Sequence, residues 1–176
     1  AFAMIRHLAG LGHRRIALIQ GPANNYDARE RRRGYLDALA ALGLAGGPLD
    51  LAGDFTEESG YRAGREIVAM AERPSAVFAA NDSMAIGCLF ALREGGLQVP
   101  RDISLCGFDD IPIARFTTPP LTSVRVRIAE LGTKAMEHLL NAVASGNGHE
   151  RRQETLGVEL VVRESCRAGA ETAFRR

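Results

Sequence analysis

Polar and aromatic side chains follow the apolar runs of this chain, at the points where buried strands are expected to end. The run 76–80 leads directly into Asn81 and Asp82, Asp109 follows a second run, and Phe55 closes a third. In an open α/β sheet the carboxyl ends of the strands line the ligand crevice. Amide, carboxylate and aromatic groups gathered there are suited to hydrogen bonding and stacking with a small polar molecule. The sequence therefore predicts one pocket built from several strand ends.

Arg31 is a candidate cation for the same pocket. At about 100° per residue it falls on the helix face of Tyr35, Ala38 and Leu42, whereas Arg29 points away. A guanidinium on a core-facing stripe needs a partner, because burying an unpaired charge is very costly. Two interpretations remain open: Arg31 contacts a ligand at the crevice, or it reaches solvent at the rim or pairs with an internal carboxylate.

The same polar residues also fit simpler structural roles. Asn, Asp and Ser all cap helices, so one residue of 81–83 is expected to cap the following helix and to leave another side chain free. Asp109 and Asp110 fit a turn ahead of Pro112. Adjacent carboxylates could also bind a metal, but no histidine or third carboxylate stands at a useful spacing. We therefore predict neither a metal nor a cofactor.

Phe55 ends its strand just before Thr56, the expected cap of the next helix. An aromatic ring in that position can act as a hydrophobic staple, but its partner here would be Gly60, which has no side chain. We therefore expect Phe55 to be an exposed stacking platform.

Sequence motifs of the common enzyme classes are missing. The chain has no G-x-x-x-x-G-K-[ST] phosphate loop, no G-x-S-x-G nucleophile elbow and no H-E-x-x-H zinc site. None of its 4 histidines stands next to a recognisable nucleophile. We therefore predict that the chain is not an enzyme and that its pocket binds without turnover.

Helical and strand patterns alternate along the chain. The predicted helices are 2–11, 27–42, 57–71, 83–95 and 128–144, and the predicted strands are 16–19, 49–53, 76–80, 103–107, 122–126 and 158–162. Strands separated by single helices imply right-handed βαβ crossovers. The predicted fold class is therefore α/β, a mostly parallel sheet with helices on both faces. A turn rich in Gly and Asn is expected at 145–148.

Composition excludes several classes of protein. Hydrophobic residues make up 46% of the 176 residues, enough for a full core. The 22 basic and 21 acidic residues leave a net charge of +1, which provides no electrostatic footprint for nucleic acid. No apolar run approaches the ~18 residues of a membrane span. Cys88 and Cys106 lie within apolar patterns, so we interpret them as core residues of a protein in the reducing, cytoplasmic compartment.

A series of short motifs in fixed order extends this interpretation. They are Gly12-His13-Arg14-Arg15-Ile16-Ala17, Ala28-Arg29-Glu30-Arg31-Arg32-Arg33-Gly34-Tyr35, Arg73-Pro74-Ser75-Ala76-Val77-Phe78, Asn81-Asp82-x-Met84-Ala85-x-Gly87, Val99-Pro100-x-Asp102-Ile103-Ser104, Gly107-Phe108-Asp109-Asp110, Pro119-Pro120-Leu121-Thr122-Ser123-Val124 and Val162-Arg163-Glu164-Ser165. Together they resemble the effector-binding core of the LacI/GalR family of bacterial transcription regulators, and the similarity runs essentially end to end. Any single motif is weak, whereas the ordered series is highly specific.

The resemblance implies a periplasmic-binding-protein-like (type I) fold, in which a three-layer α/β/α lobe faces a second lobe across the effector. Residues 1–125 would form the C-terminal lobe, 126–146 a crossover helix that packs in the N-terminal lobe, and 147–176 the return strand and tail. The DNA-binding headpiece and most of the N-terminal lobe would then lie outside this chain. On that view the crossover helix would expose an apolar stripe, formed by Ile128, Leu131, Ala135, Leu139 and Val143.

The ligand contacts of the family carry over onto this chain position by position. By resemblance, Arg31 donates two hydrogen bonds to ligand acceptors, and Asn81 both donates to and accepts from the ligand. Asp109 by resemblance accepts hydrogen bonds from ligand hydroxyls. Phe55 matches the aromatic platform and Asp27 a variable polar contact. The set suits a sugar, and it would also accept a nucleobase.

The implied function is effector sensing for transcriptional control. A small-molecule effector, with a sugar preferred, would change the arrangement of the lobes and thereby operator binding by a headpiece outside this chain. The chain itself is expected not to bind operator DNA or a membrane. The alternative is a periplasmic sugar-binding protein of a transporter, which shares the fold, although segments 119–123 and 163–165 are more similar to the repressor version.

The resemblance also implies a homodimer formed through the C-terminal lobes. The expected contacts are Ile86 and Phe90 on one helix face, together with Phe116 and Thr117. Large apolar groups at a polar surface favour burial against a partner. In the alternative arrangement Ile86 and Phe90 face the core, and Met84 and Leu92 lie at the edge.

Overall fold

Four parallel strands form the central sheet of the molecule, in a computed structural model that describes residues 1–44, 47–145 and 153–169. The strands are β1 (Ile16–Ile19), β2 (Leu49–Leu51), β3 (Ala76–Ala79) and β4 (Ser104–Cys106), and their order in the sheet is β2-β1-β3-β4. Every residue of β1, β3 and β4 is buried. Such near-continuous burial is typical of parallel strands that are covered on both faces.

Helices cover both faces of this sheet. They are α1 (Phe2–Gly10), α2 (Tyr26–Ala41), α3 (Glu57–Ala69) and α4 (Asp82–Glu94), and a further helix, α5 (Ile128–Ser145), follows later in the chain. The crossover from β1 to β2 runs in one direction along the sheet, and the next two crossovers run in the other. Right-handed connections therefore place α2 on one face and α3 and α4 on the opposite face. Because α1 packs against α2 and α3 against α4, three α/β/α layers result, and the predicted fold class is confirmed.

A small antiparallel sheet continues from the central one. β5 (Ser123–Arg125) pairs with β6 (Glu159–Val161). An isolated parallel bridge between Asp109 and Arg125 attaches the chain after β4 to β5. A single 3-10 helix, Pro112–Phe116, connects the two regions among the described residues. The polar residues that follow β4 are therefore enclosed between β5 and the end of the central sheet.

The predicted elements are confirmed, with ends that differ by no more than two residues. Gly12 follows α1 with a φ of +91°, and Thr56 caps α3 by accepting a hydrogen bond from the Ser59 N–H. The prediction that Leu42 belongs to the buried face of α2 is wrong, because the helix ends at Ala41 and the Leu42 side chain turns outward. Positions 146–148 of the predicted turn lie outside the described residues.

The thiols predicted to lie in the core are buried. Cys88 and Cys106 have no exposed surface, and Cys166 is half-buried. All three are free. Burial raises the pKa of the Cys88 thiol to about 12, so it stays protonated and serves as a small apolar core group.

α3 and α4 pack with their backbones close together at two glycines. A Cβ atom added to Gly87 would lie 1.9 Å from the Glu57 carbonyl oxygen, and one added to Gly60 would lie 2.0 Å from the Met84 carbonyl oxygen. No side chain fits at such distances in a close-packed interior. The glycines therefore set the spacing of the two helices and of the loops that precede them.

α5 presents an apolar surface that the rest of the described chain leaves uncovered. Its exposed large apolar residues are Ile128, Leu131, Met136, Leu139, Leu140 and Val143. A helix with an apolar face normally buries it against a neighbouring element. Within the described ranges, no helix is both long enough and apolar enough to cross a membrane.

Candidate functional site

Arg31 and Asp109 form an ion pair at the carboxyl ends of the central strands. Arg31 Nη2 donates to Asp109 Oδ1 at 3.1 Å, and Arg31 Nη1 donates to the carbonyl oxygen of Ala80, which follows β3. The side chains are 15% and 30% exposed, so the pair is partly buried and still accessible to solvent. Arg31 thus has the internal carboxylate partner that one interpretation of the sequence required, and it lies at the strand ends, where the other placed a ligand.

Two aromatic rings flank the Arg31 guanidinium. Its Cζ atom lies 4.0 Å from the centroid of the Phe108 ring and 5.7 Å from that of the Phe55 ring. Cation–π attraction at these distances helps to hold the guanidinium between the rings. The Phe55 ring lies over Gly21, where an added Cβ would be 2.4 Å from the ring. The structure therefore places Phe55 half-buried beside the pair, which is less exposed than the sequence predicted.

Asn81 caps α4 and joins the site to the loop before α3. Its Oδ1 accepts a hydrogen bond from the Met84 N–H at 2.9 Å, and its Nδ2 donates to the Phe55 carbonyl oxygen at 2.9 Å. Asn81 is therefore the capping residue expected within 81–83. An amide has two N–H groups and two lone pairs, so one donor and one acceptor of Asn81 remain for other partners.

Asp109 carries a perturbed carboxyl group. Burial raises the pKa of Asp109 above its ordinary value, although the nearby charge of Arg31 lowers it, and the carboxylate of Asp27 raises it further. Asp27 itself is exposed on the first turn of α2. All five residues predicted to contact a ligand, namely Arg31, Asn81, Asp109, Phe55 and Asp27, thus lie at the same end of the sheet.

Asp110 has a structural role that the sequence did not reveal. Its two carboxylate oxygens lie 2.7 Å from Arg125 Nε and 2.7 Å from Arg163 Nη2, and its side chain is 3% exposed. The adjacent carboxylates of Asp109 and Asp110 therefore serve different cations. Within residues 1–44, 47–145 and 153–169, no cluster of three or more His, Cys, Asp or Glu side chains could hold a metal ion.

Asp82 is a second buried carboxylate close to the site. Its Oδ1 accepts a hydrogen bond from the Ser123 hydroxyl at 2.6 Å, and its Oδ2 accepts one from the Ile111 N–H at 2.9 Å. Burial raises the pKa of Asp82 to about 6, although these two hydrogen bonds lower it. The position was a helix-cap candidate in the sequence, and its burial follows from the fold of residues 107–123 around it.

The raised pKa of Asp82 predicts a pH-dependent contribution to stability. A carboxyl group that binds its proton more tightly in the folded state favours folding at pH values below its unfolded pKa, and that contribution is lost as the pH rises through about 6. Relative to an Asp82→Asn variant, the wild type should lose on the order of 3 kcal/mol of unfolding free energy between pH 4 and pH 7. Urea denaturation of both proteins across this range measures the difference, and a constant difference contradicts the assignment.

A second surface carries the residues expected at a dimer interface. Phe90 is 59% exposed and Phe116 is 72% exposed, whereas Met84 and Leu92 are fully buried. The alternative in which α4 turns Ile86 and Phe90 towards the core is therefore wrong. The Phe90 ring borders a groove of about 420 Å³, lined by Glu57, Glu58, Tyr61, Ile86, Gly87 and Phe90.

Thr117 lies beside Phe116 on this surface. Its hydroxyl contacts two backbone carbonyl oxygens, that of Ala114 at 3.1 Å and that of Pro119 at 2.7 Å. Thr117 therefore shapes the loop that presents Phe116.

The parallel sheet, with polar and aromatic side chains gathered at its strand ends, is typical of periplasmic binding protein-like lobes. A family model described as the periplasmic binding protein-like domain matches residues 5–166. The HTH-type transcriptional repressor PurR of Erwinia tasmaniensis is 39% identical over 176 residues, which cover 97% of this chain and 50% of the repressor. The chain thus spans about half the length of the curated relatives it matches.

Solved structures agree with this class. The lac repressor dimer bound to operator and the anti-inducer ONPF is 32% identical with a TM-score of 0.87, covering 95% of this chain and 57% of the repressor chain. A LacI family transcriptional regulator from Enterococcus faecium with bound ribose is 29% identical with a TM-score of 0.86, covering 95% of this chain and 62% of that one. The chain belongs to the family of periplasmic binding protein-like domains, in the branch of the LacI/GalR repressors, as its motifs predict.

Proposed function

We propose that this chain is the effector-sensing domain of a LacI-type transcriptional regulator of the cytoplasm, and that its effector is a sugar. The observation that carries the proposal is the Arg31–Asp109 pair at the strand ends, partly exposed to solvent and flanked by two aromatic rings. Crevices at strand ends are the usual ligand sites of open α/β sheets.

The chemistry of the pair favours a polyhydroxylated ligand. The guanidinium keeps N–H donors beyond those bound to Ala80 and Asp109, and the second carboxylate oxygen of Asp109 can accept from a hydroxyl. Neighbouring hydroxyls of a sugar present donors and acceptors side by side, and the C–H face of the sugar can lie against Phe55. The bound ribose in the Enterococcus faecium relative supports this class.

The proposed mechanism is a population shift. The ligand would bind one arrangement of this lobe and a second lobe more tightly than another, and that difference in affinity would move headpieces that bind operator. Binding of operator and binding of effector would then be linked in both directions. The operator-bound lac repressor relative supports this role for the whole protein.

A periplasmic sugar-binding protein of a transporter is the second candidate with this fold. The similar proteins are transcriptional repressors and not enzymes or transport proteins, and they favour the regulator. The site likewise supports binding without turnover.

We assign residues 1–125 and the return segment 147–176 to one lobe, and the helix 126–146 to the other. The uncovered apolar residues of α5, such as Leu139 and Val143, support this division, because they would be buried against the second lobe.

We propose that two copies pair through the surface of α4 and the 3-10 helix. Phe90 and Phe116 are exposed and would each contribute about 1.5–3 kcal/mol on burial. Phe116→Glu should therefore convert the full-length dimer towards monomer in sedimentation velocity. Leu42→Glu, at an exposed apolar position at the end of α2, is the matched control and should remain dimeric. Equal dimerisation of the Phe116→Glu variant would place the interface elsewhere.

A thermal-shift panel on the full-length protein tests the function. The compounds are D-ribose, D-glucose, D-galactose, adenine and hypoxanthine. A ligand at about 100 times its Kd stabilises the folded state by about 2.7 kcal/mol, so a true effector should raise the Tm by several degrees. The shift should disappear in Arg31→Met. A shift with only the nucleobases would show that the effector is not a sugar. No shift with any of the five compounds would count against the sugar class and the nucleobase class alike.

A further inference from the structure

We propose that Asp82 is a positioning residue for effector binding: its carboxylate fixes the turn 109–111, and this turn aims the Asp109 carboxylate at Arg31 and at the ligand. The inference rests on the proposed function. Asp82 itself is fully buried and would not touch the effector.

The turn that carries Asp109 has a backbone that needs outside support. Asp109 has a φ of +103° and Asp110 a φ of +55°. Residues other than glycine rarely adopt such angles, which are costly and persist only where the surrounding structure holds them. Two in succession at the ligand site therefore require bonds from neighbouring elements.

Asp82 supplies bonds to three successive parts of this segment. The Asp82 N–H donates to the Phe108 carbonyl oxygen at 2.8 Å, and its Oδ2 accepts from the Ile111 N–H at 2.9 Å. Its Oδ1 accepts from the Ser123 hydroxyl, whose oxygen accepts in turn from the Asp110 N–H at 3.1 Å. The Asp82 backbone thus holds the chain before the Asp109 Cα atom, and the Asp82 side chain holds the turn after it.

The sequence makes room for this carboxylate. A Cβ atom added to Gly107 would lie 2.1 Å from Asp82 Oδ1. The close approach of backbone and carboxylate requires glycine at that position. The capping of α4 does not require Asp82, because Asn81 already caps it. A buried carboxylate is costly unless it is hydrogen-bonded, and the partners of Asp82 lie in and beside the turn that carries Asp109.

The protonation state of Asp82 couples this arrangement to pH. The titratable groups that interact with it are the carboxylates of Asp109 and Asp110 on the turn and the thiol of Cys106 on β4. In a neutral Asp82 the oxygen next to Ser123 can carry the proton and donate to the Ser123 hydroxyl oxygen, and the bond from the Ile111 N–H loses its charge assistance. With the pKa of Asp82 at about 6, the bonds to the turn change in the range between pH 5 and pH 7.

The experiment measures affinity and turn dynamics in full-length protein. Asp82→Asn keeps the size of the side chain and places an N–H₂ group against one of the two donors. Asp37→Asn makes the same substitution at an exposed position of α2 and serves as the control. Calorimetry uses the panel compound with the largest thermal shift, with D-ribose tested first, at pH 5, 6, 7 and 8. Hydrogen exchange at the amides of Asp110 and Ile111 is followed without ligand.

Asp82→Asn should weaken binding roughly 10- to 100-fold at pH 7, and exchange at both amides should become faster. The wild-type affinity should fall as the pH drops through about 6, and this step should be missing in Asp82→Asn. Both proteins share any pH dependence from Asp109, so the difference between their profiles isolates Asp82. The Asp37→Asn control should match the wild type in all three readouts.

The proposal is overturned if a folded Asp82→Asn protein keeps the wild-type affinity and the wild-type exchange rates. It is also overturned if the variant binds more weakly but its affinity still falls as the pH drops through about 6. If Asp82→Asn does not fold, Ser123→Ala keeps the carboxylate, removes its link to the Asp110 N–H and should show the same losses. If no panel compound binds the wild type, the proposed function fails. In that case the exchange rates of the Asp110 and Ile111 amides test the positioning role by themselves. If these rates in the variants equal those of the wild type, the positioning role is overturned.

Discussion

Asp109→Ala should weaken effector binding by about 2–4 kcal/mol, roughly 30- to 1000-fold in Kd, while the protein still folds. The substitution removes a charge-assisted acceptor and leaves the Arg31 guanidinium, 15% exposed, without its carboxylate. Asp109 lies in the turn after β4 and is 30% exposed, so no core volume is lost. Calorimetry on the full-length protein measures the effect.

The matched control is Asp37→Ala, which removes an exposed carboxylate from α2 and should leave the affinity unchanged. A far-UV spectrum and a cooperative thermal transition confirm that each variant is folded. If a folded Asp109→Ala protein binds the effector with wild-type affinity, Asp109 is not part of the ligand site.

Gly87→Val should destabilise the fold by about 3 kcal/mol or more. The new side chain would begin 1.9 Å from the Glu57 carbonyl oxygen and 2.9 Å from the Tyr61 nitrogen, so α3 must move away from α4. Inserted volume in a well-packed core typically costs 1–3 kcal/mol, and here the atoms in the way are backbone, which cannot rotate aside. Chemical denaturation of the variant and of the wild type measures the loss.

Gly10→Ala is the control for this substitution. A Cβ at Gly10 meets nothing within 4 Å, and the residue is helical. Alanine should therefore be neutral or stabilise the protein by about 0.5–1 kcal/mol. If Gly87→Val is as stable as Gly10→Ala, the close packing of α3 and α4 does not hold in solution.

The order of elements could be predicted from the sequence because the signals are local. Apolar runs of four or five residues mark the buried strands, and single residues such as Thr56 and Gly12 mark the helix ends. The error at Leu42 arose because a periodic pattern does not reveal the last turn of a helix, where the chain can leave the face it has followed.

Contacts between residues that are far apart in the sequence could not be predicted from local signals. The helical face of Arg31 could be predicted, but its partner Asp109 lies 78 residues away and the ring of Phe108 lies beside that partner. The two arginines of Asp110 come from β5 and from the segment after β6. A local sequence pattern shows the types of these residues but does not show how far apart they lie in the folded chain.

Asp82 shows the same limit most clearly. Beside Asn81 it fits a helix cap, and its burial appears only once Ser123 and Ile111 close over it. Gly107 is the one residue in the sequence that could indicate this burial, because its missing side chain makes room for the carboxylate. The indication can be interpreted only when β4 and α4 are known to lie side by side.

The crystal structure of the full-length protein bound to the compound that raises its Tm tests the central claim most directly. We expect the ligand between Arg31, Asp109 and Phe55, with its hydroxyls bonded to the guanidinium and the carboxylate and its C–H face on the ring. A compound bound elsewhere on the molecule, with the Arg31–Asp109 pair left as it is here and no contact to either side chain, would contradict the account.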